Sequence, residues 1–349
     1  MSSPTVSVVI SAFTVARWEQ LLAAIRSVRQ QRLVPQQIIV VVDNNQELFA
    51  RVRREVTGVL ALENHEHPGL SGARNSGVAH ATGEIVAFLD DDAVAMPDWL
   101  DYLLTPYSDA NVVGTGGSIE PSWAHPRPSW FPGEFNWVVG CTYPSLPTTA
   151  APVRNVIGAN MSFRRELLRS TGGFRRDIGR IGSRPLGCEE TELCIRLRQR
   201  RPGSRLIYEP RARVRHLVPR SRSTMRYFLR RCYSEGRSKA TVTRVVGSRD
   251  GLASERAYTL QALPRGVARG IGDALVRGDR SGLLRSGAIM AGLVTTTFGY
   301  GVSRAILMVP EPTKRPHPAA IIPDLSNGAD DVAQCDVFDG EPIRSLPAS

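Results

Sequence analysis

Three adjacent carboxylates, Asp90-Asp91-Asp92, close the apolar run Glu84-Ile-Val-Ala-Phe-Leu89. Neighbouring like charges repel, so such a run needs a cation or a set of hydrogen-bond donors to compensate it. Side chains alternate along an extended chain, which puts Asp90 and Asp92 on one side and Asp91 on the other. Two carboxylates facing one way suit a hard divalent cation, Mg2+ or Mn2+, that also binds phosphate oxygens. A solvated acidic turn is the plainer alternative, but a buried strand ahead of the run favours the metal. His216 ends the strand-like segment Ala212-Arg-Val-Arg-His216 and is a candidate third ligand. A lone histidine serves structure as readily; as a ligand, imidazole would favour Mn2+ over Mg2+.

A second acidic group, Glu189-Glu190-Thr-Glu192, opens a helical pattern that runs to Gln199. Acids in a first turn pair favourably with the helix dipole without any function. The chemical alternative is that one of them is a general base that deprotonates a hydroxyl nucleophile. Arg74 follows Gly72-Ala73 at the start of another expected helix, where positive charge and free N–H groups suit a pyrophosphate.

The elements that must position these groups alternate. Val6–Ile10, Ile38–Val42, Val59–Leu62 and Glu84–Leu89 have the β-branched, apolar texture of buried strands. Helical stretches are expected at 17–30 and 46–56, and a third opens at Gly69. Strand–helix alternation of this kind predicts right-handed βαβ units, an α/β fold and a mostly parallel sheet flanked by helices. Ligands of such sheets gather at the carboxyl ends of strands, where Asp43 and Asp90–Asp92 lie. From 110 to 165 the texture turns to Gly, Pro and Trp, as in a loop that lines a cleft or covers a sheet edge. Arg205–Tyr208 and Ala212–His216 follow as short strands.

The 349 residues are 42% hydrophobic and 22% charged, which excludes a disordered or collagen-like chain. Basic charge is concentrated: residues 164–244 hold 22 Arg and Lys239 against seven acids, whereas the whole chain nets only +11. Such a patch is either a set of solvated helix faces or a site for a phosphorylated ligand or an acidic membrane. No nucleic-acid-binding motif accompanies it. Five cysteines without a C-x-x-C pair argue against a disulfide framework and fit a reducing compartment. No secretory signal is expected at the N-terminus. Residues 286–303 carry no charge and would span ~27 Å as a helix, marginally enough for a bilayer core. The expected organisation is a catalytic domain at 1–235, a helical membrane-associated region at 236–310 and a disordered tail at 311–349.

Five segments carry a family resemblance. Val6–Phe13, Val41-Val42-Asp43, Gly72-Ala73-Arg74-Asn75-x-Gly77, Leu89–Asp92 and Glu189-Glu190-x-Glu192-Leu-x-x-Arg196 resemble, in order, family 2 glycosyltransferases of GT-A fold. The resemblance covers about residues 5–235. It implies an inverting enzyme that takes a nucleotide-diphosphate sugar, UDP-linked, and a divalent cation. It places Ala12, Phe13 and Asp43 at the nucleotide base and Arg74 at the diphosphate. Asp90 and Asp91 fall in the nucleotide-sugar site, Asp92 and Asp90 on the metal, and His216 in the position that completes the metal shell in some members. Glu190 takes the place of the base, with Glu189 the alternative. The Gln-x-x-Arg-Trp motif of processive synthases is absent, which implies one sugar per acceptor.

Trp130-Phe-Pro-x-Glu-Phe-x-Trp-Val-Val-Gly-Cys141, Gly158-Ala-Asn-Met-Ser-Phe-Arg-Arg165 and the Gly187–Arg196 block are similar to a prokaryotic subgroup described as glucosyl-dolichyl-phosphate glucuronosyltransferases. That implies UDP-glucuronate as donor, a lipid-linked or cell-envelope glycan as acceptor, and work at the cytoplasmic face of the membrane. A polyprenyl-phosphate sugar synthase is the alternative enzyme, and an inactive nucleotide-binding membrane scaffold the alternative without catalysis.

Overall fold

The computed structural model describes residues 4–180, 186–252, 255–256 and 258–308. Its first half alternates strand and helix: β1 (Val6–Ala12), α1 (Trp18–Arg29), β2 (Gln37–Val42), α2 (Gln46–Glu55), β3 (Leu60–Glu63), α3 (Leu70–His80) and β4 (Ile85–Asp90). The strands are buried on both faces because every second residue serves a different layer. Val8, Ile10, Val40 and Ala87 pack under α1 and α2, whereas Val9, Ile39, Val41 and Phe88 pack under α3.

Beyond β4 come β5 (Ala93–Ala95), α4 (Trp99–Leu104), β6 (Val112–Trp123), β7 (Ala151–Val153), β8 (Asn160–Arg164), α5 (Arg165–Ser170), α6 (Glu189–Arg200) and β9 (Arg205–Val218). The sheet runs β3-β2-β1-β4-β8-β6-β9-β5, with β7 also on β9. It is mixed, not mostly parallel. β1–β2, β1–β4, β2–β3 and β6–β9 are parallel, but β4–β8, β6–β8, β5–β9 and β7–β9 are antiparallel. The segment expected to be irregular supplies β6 and β8, two strands of the sheet interior. Glycine disguised β6: a Cβ on Gly117 would lie 1.9 Å from the Ala212 carbonyl oxygen, so close approach of β9 demands the small residue. The two short strands expected at 205–216 are one bulged strand, β9.

Three long helices follow: α7 (Met225–Val246), α8 (Leu263–Arg277) and α9 (Ser281–Met308). α7 runs without a break through residue 235. It crosses α9 where a Cβ on Gly236 would stand 2.0 Å from the Thr296 carbonyl, and one on Gly299 2.3 Å from that of Tyr233. The uncharged stretch 286–303 is helical, within α9. No helix among the described residues is long and apolar enough to cross a membrane. The tail expected at 311–349 lies outside the described residues.

Candidate active site

The acidic run sits at a corner made by three strands. Asp90 ends β4, paired with Ser11 of β1, and the chain turns at Asp91-Asp92 into β5. β5 then pairs antiparallel with β9, which sets Ala93 opposite His216. That register brings His216 Nε2 to 3.0 Å from Asp92 Oδ1. Asp90, Asp92 and His216 each offer one ligand atom, and all three atoms lie within 4.8 Å of one another. Two carboxylate oxygens and one imidazole nitrogen fit Mn2+ or Mg2+.

Burial alone would raise the Asp92 carboxyl, but His216, Arg17 and Arg222 outweigh it and hold Asp92 well below the usual range. Asp91 faces away, as alternation requires, and is absent from the cavity wall. Its Oδ1 accepts from Arg17 Nη1 at 2.7 Å, and its buried Oδ2 has no hydrogen-bond partner. Burial, then repulsion from Asp92, pushes Asp91 upward. Arg17, which had no sequence signal, thus bridges Asp91 and Asp92, the latter at 3.1 Å, and lies over the Phe13 ring at 5.3 Å.

Ala12, Phe13 and Asp43 meet at the ends of β1 and β2, outside the main cavity. Asp43 N donates to Ala12 O, and its carboxylate accepts from Asn64 Nδ2 (2.7 Å) and Gly69 N (3.0 Å). Arg74 comes from α3 and is buried. Its guanidinium donates to Glu189 Oε1 (2.9 Å) and to the Gly158 carbonyl (3.2 Å), and stands 3.5 Å from Asp90 Oδ1. The group expected to meet a diphosphate is therefore already tied to Glu189.

The three glutamates at the start of α6 have separate surroundings. Glu192 is fully buried and paired with Arg196, whose guanidinium also ties down the Thr171 and Gly173 carbonyls. Glu189 is held by Arg74. Glu190 opens onto the cavity, and burial followed by the charge of Glu189 pushes it up to about 8. Cys188, just ahead, has φ 72° and donates its thiol to Glu235 Oε1 at 3.2 Å. A non-glycine residue held left-handed is a strained corner, and this one fixes the direction in which α6 starts.

One cavity of about 420 Å³ contains Asp90, Asp92, His216, Arg74, Glu189 and Glu190 on its wall. Its far end was not legible: α7 and α9 close it with Glu235, Lys239, Leu293, Thr296 and Tyr300, and Glu255 and Arg154 stand beside them. There Lys239 Nζ bridges Glu255 (2.5 Å) and Glu235 (3.3 Å), and Arg154 holds Glu255 from the other side. The tryptophans divide between the two expected roles. Trp123 and Trp130 pack around Phe131, whereas Trp137 faces the cavity and donates its Nε1 to Tyr258 Oη at 3.0 Å.

The family model described as Glycosyl transferase family 2 matches residues 7–172. A glucosyl-dolichyl phosphate glucuronosyltransferase of Haloferax volcanii is 35% identical over 238 residues, 67% of this chain and 76% of that protein. Succinoglycan biosynthesis protein ExoM of Rhizobium meliloti is 26% identical, over 57% of this chain and 63% of its own. Among solved structures, a mannosyltransferase of Pyrobaculum calidifontis in complex with GDP-Man and Mn2+ superposes with TM-score 0.53 at 20% identity, covering 85% of this chain and 88% of its own, and so shares the fold. The chain belongs to glycosyl transferase family 2 and is a glycosyltransferase.

Proposed function

We propose that the enzyme moves one sugar from a nucleotide-diphosphate donor, UDP-linked and of the UDP-glucuronate type, to a hydroxyl of a lipid-linked or cell-envelope glycan. The observation that carries this reading is the shared cavity: Glu190 and the Asp90–Asp92–His216 group line the same space. The Haloferax relative supports the donor and the lipid-linked acceptor by its name. The lipid-linked acceptor in that name also supports work at a cell membrane, and we place the enzyme at its cytoplasmic face with the helices after residue 235 against the lipid surface.

Asp90, Asp92 and His216 would hold Mn2+ or Mg2+, which when bound supplies positive charge for the departing diphosphate. Glu190 takes the acceptor proton as the acceptor oxygen bonds to the anomeric carbon and the bond from that carbon to the diphosphate breaks. One in-line attack inverts the configuration. Arg74 anchors Glu189, which keeps the adjacent carboxylate aimed into the cavity and adds a repulsion that makes Glu190 more basic. Nucleotide recognition falls to Ala12, Phe13 and Asp43 at the strand ends, with Arg17 linking that edge to the acidic corner.

The test is a panel of UDP-, GDP- and dTDP-sugars, read as metal-dependent protection against heat. Protection by UDP-sugars with metal, lost in chelator and in Asp92→Ala, is expected. Undiminished protection in chelator would overturn the metal assignment.

A second reading, transfer to a polyprenyl phosphate, is favoured by one observation. Arg180, Arg222 and Arg231 all line the cavity, and burial followed by the charges of Arg222 and Arg231 lowers Arg180. A phosphate would relieve that repulsion. Turnover on bare polyprenyl phosphate against a glycosylated lipid separates the two readings.

A further inference from the structure

Helices α7–α9 expose far more apolar surface than a site wall requires. On α9, Met290, Val294 and Phe298 recur at the spacing of one helix face and are 49%, 62% and 63% exposed. No charge interrupts that helix between Arg285 and Arg304. On α8, Leu275 and Val276 are 80% and 85% exposed. A water-facing surface of this kind needs a partner.

Beside it runs a row of charge. Arg226, Arg230, Arg237 and Arg244 are exposed on α7, the last three spaced by seven residues, and none has an ion-pair partner among the described residues. Glu235, the sole acid of α7, turns inward to Lys239 and Cys188. The two surfaces adjoin. Tyr233 shares the side of α7 that holds Arg230 and Arg237, and its ring lies 6.1 Å from that of Phe298. The opposite side of α9 carries Leu293, Thr296 and Tyr300, which wall the catalytic cavity.

We propose that the outer faces of α8 and α9 and the arginine row of α7 form a docking surface for an anionic lipid bilayer, on which α9 lies in the membrane plane. The apolar stripe enters the acyl boundary, and the arginines reach acidic headgroups beside it. Charge complementarity selects this occupant over a second copy of the chain. In a two-fold dimer the same patch meets itself, which would crowd two unneutralised arginine rows together. The surface deepens the proposed transfer to a lipid-linked acceptor and rests on that reading for its purpose: α9 is at once the membrane contact and a wall of the cavity that Glu190 lines, so a membrane-held acceptor would lie one helix away from the site.

The experiment is flotation of the full-length protein with vesicles of phosphatidylcholine alone and of phosphatidylcholine mixed with phosphatidylglycerol. Binding to the mixed vesicles that weakens with salt is expected. The triple variant Arg230→Gln, Arg237→Gln, Arg244→Gln should lower partition to mixed vesicles about a hundredfold, about fivefold per arginine. The double variant Val294→Glu, Phe298→Glu should lose binding to background. Heat protection by nucleotide and metal, measured in parallel, should be unchanged in both variants. Absence of vesicle binding by a wild-type protein that nucleotide still protects overturns the docking surface and leaves the transfer reading intact. Absent nucleotide protection with intact vesicle binding does the reverse. A wild-type dimer that the double variant converts to monomer, with vesicle binding unchanged, would assign the face to a second copy instead.

Discussion

The two ends of the cavity are built differently. At the strand end, Asp90, Asp92 and His216 stand where the β4–β5 turn and β9 are locked by ladder hydrogen bonds, and Leu217 N donates to the Asp92 carbonyl at 2.9 Å. At the helix end, α7 and α9 are held by glycine crossings and by the side-chain network Arg154–Glu255–Lys239–Glu235. Backbone ladders fix a ligand group within fractions of an ångström, whereas side-chain networks can be rebuilt without undoing the fold. Under the proposed function, the chemistry belongs to the rigid end, and recognition of the acceptor to the end that can vary.

The largest effect should come from the junction of the two. Glu190→Gln should lower kcat by about 10²–10⁴-fold with donor protection against heat unchanged. An active Gln variant would move the base to Glu189. The acid limb of wild-type kcat/KM should fall near pH 8, since Glu190 accepts a proton only after losing its own; below that value activity declines as pH falls. Next is Arg74→Ala, which leaves Glu189 buried and uncompensated. A loss of about 3–5 kcal/mol in denaturant unfolding is expected. A near-neutral result would mean that Glu189 takes up a proton when Arg74 is gone.

The difference between the ends also governs what could be read in advance. The apolar runs of β1, β2 and β4 announce themselves because both faces are buried, and the residues that follow them are the strand-end groups. Sequence names Asp90, Asp92 and His216 by type, but their meeting depends on the β5–β9 register, a pairing across 123 positions that no local pattern encodes. β6 was hidden because close packing requires Gly114, Gly116 and Gly117 where a strand would otherwise show branched residues. Arg17 was invisible for another reason: it lies between β1 and α1 with no motif, and only the fold sets it against Asp91. The basic excess was countable but not divisible. Arg196 is consumed by Glu192 inside the core, while Arg230 and Arg237 face outward, and composition treats them alike.

A smaller effect should mark the helix crossing. Gly236→Ala forces α7 away from the Thr296 carbonyl, with an expected cost of about 1–3 kcal/mol. Because Thr296 lines the far end of the cavity, KM for acceptor should rise more than kcat falls, and donor protection should hold. An equal loss in donor protection would show that the two ends are not separable.

The smallest expected effect tests the network itself. Burial would raise Glu255, but Lys239 and Arg154 outweigh it and bring its pKa down to about 2. Such a group stabilises the fold above its unfolded value and loses that contribution as pH falls through the folded one. Glu255→Gln should therefore cost about 1 kcal/mol at neutral pH, because Lys239 keeps Glu235 and Arg154 keeps the Gly251 carbonyl. The gap between wild type and variant should persist above about pH 5 and close as pH falls through about 2, where Glu255 takes up its proton and both come to carry an uncharged group. A gap that stays constant with pH would show that Glu255 acts through packing and not through its charge, and the helix end would then be as rigidly specified as the strand end.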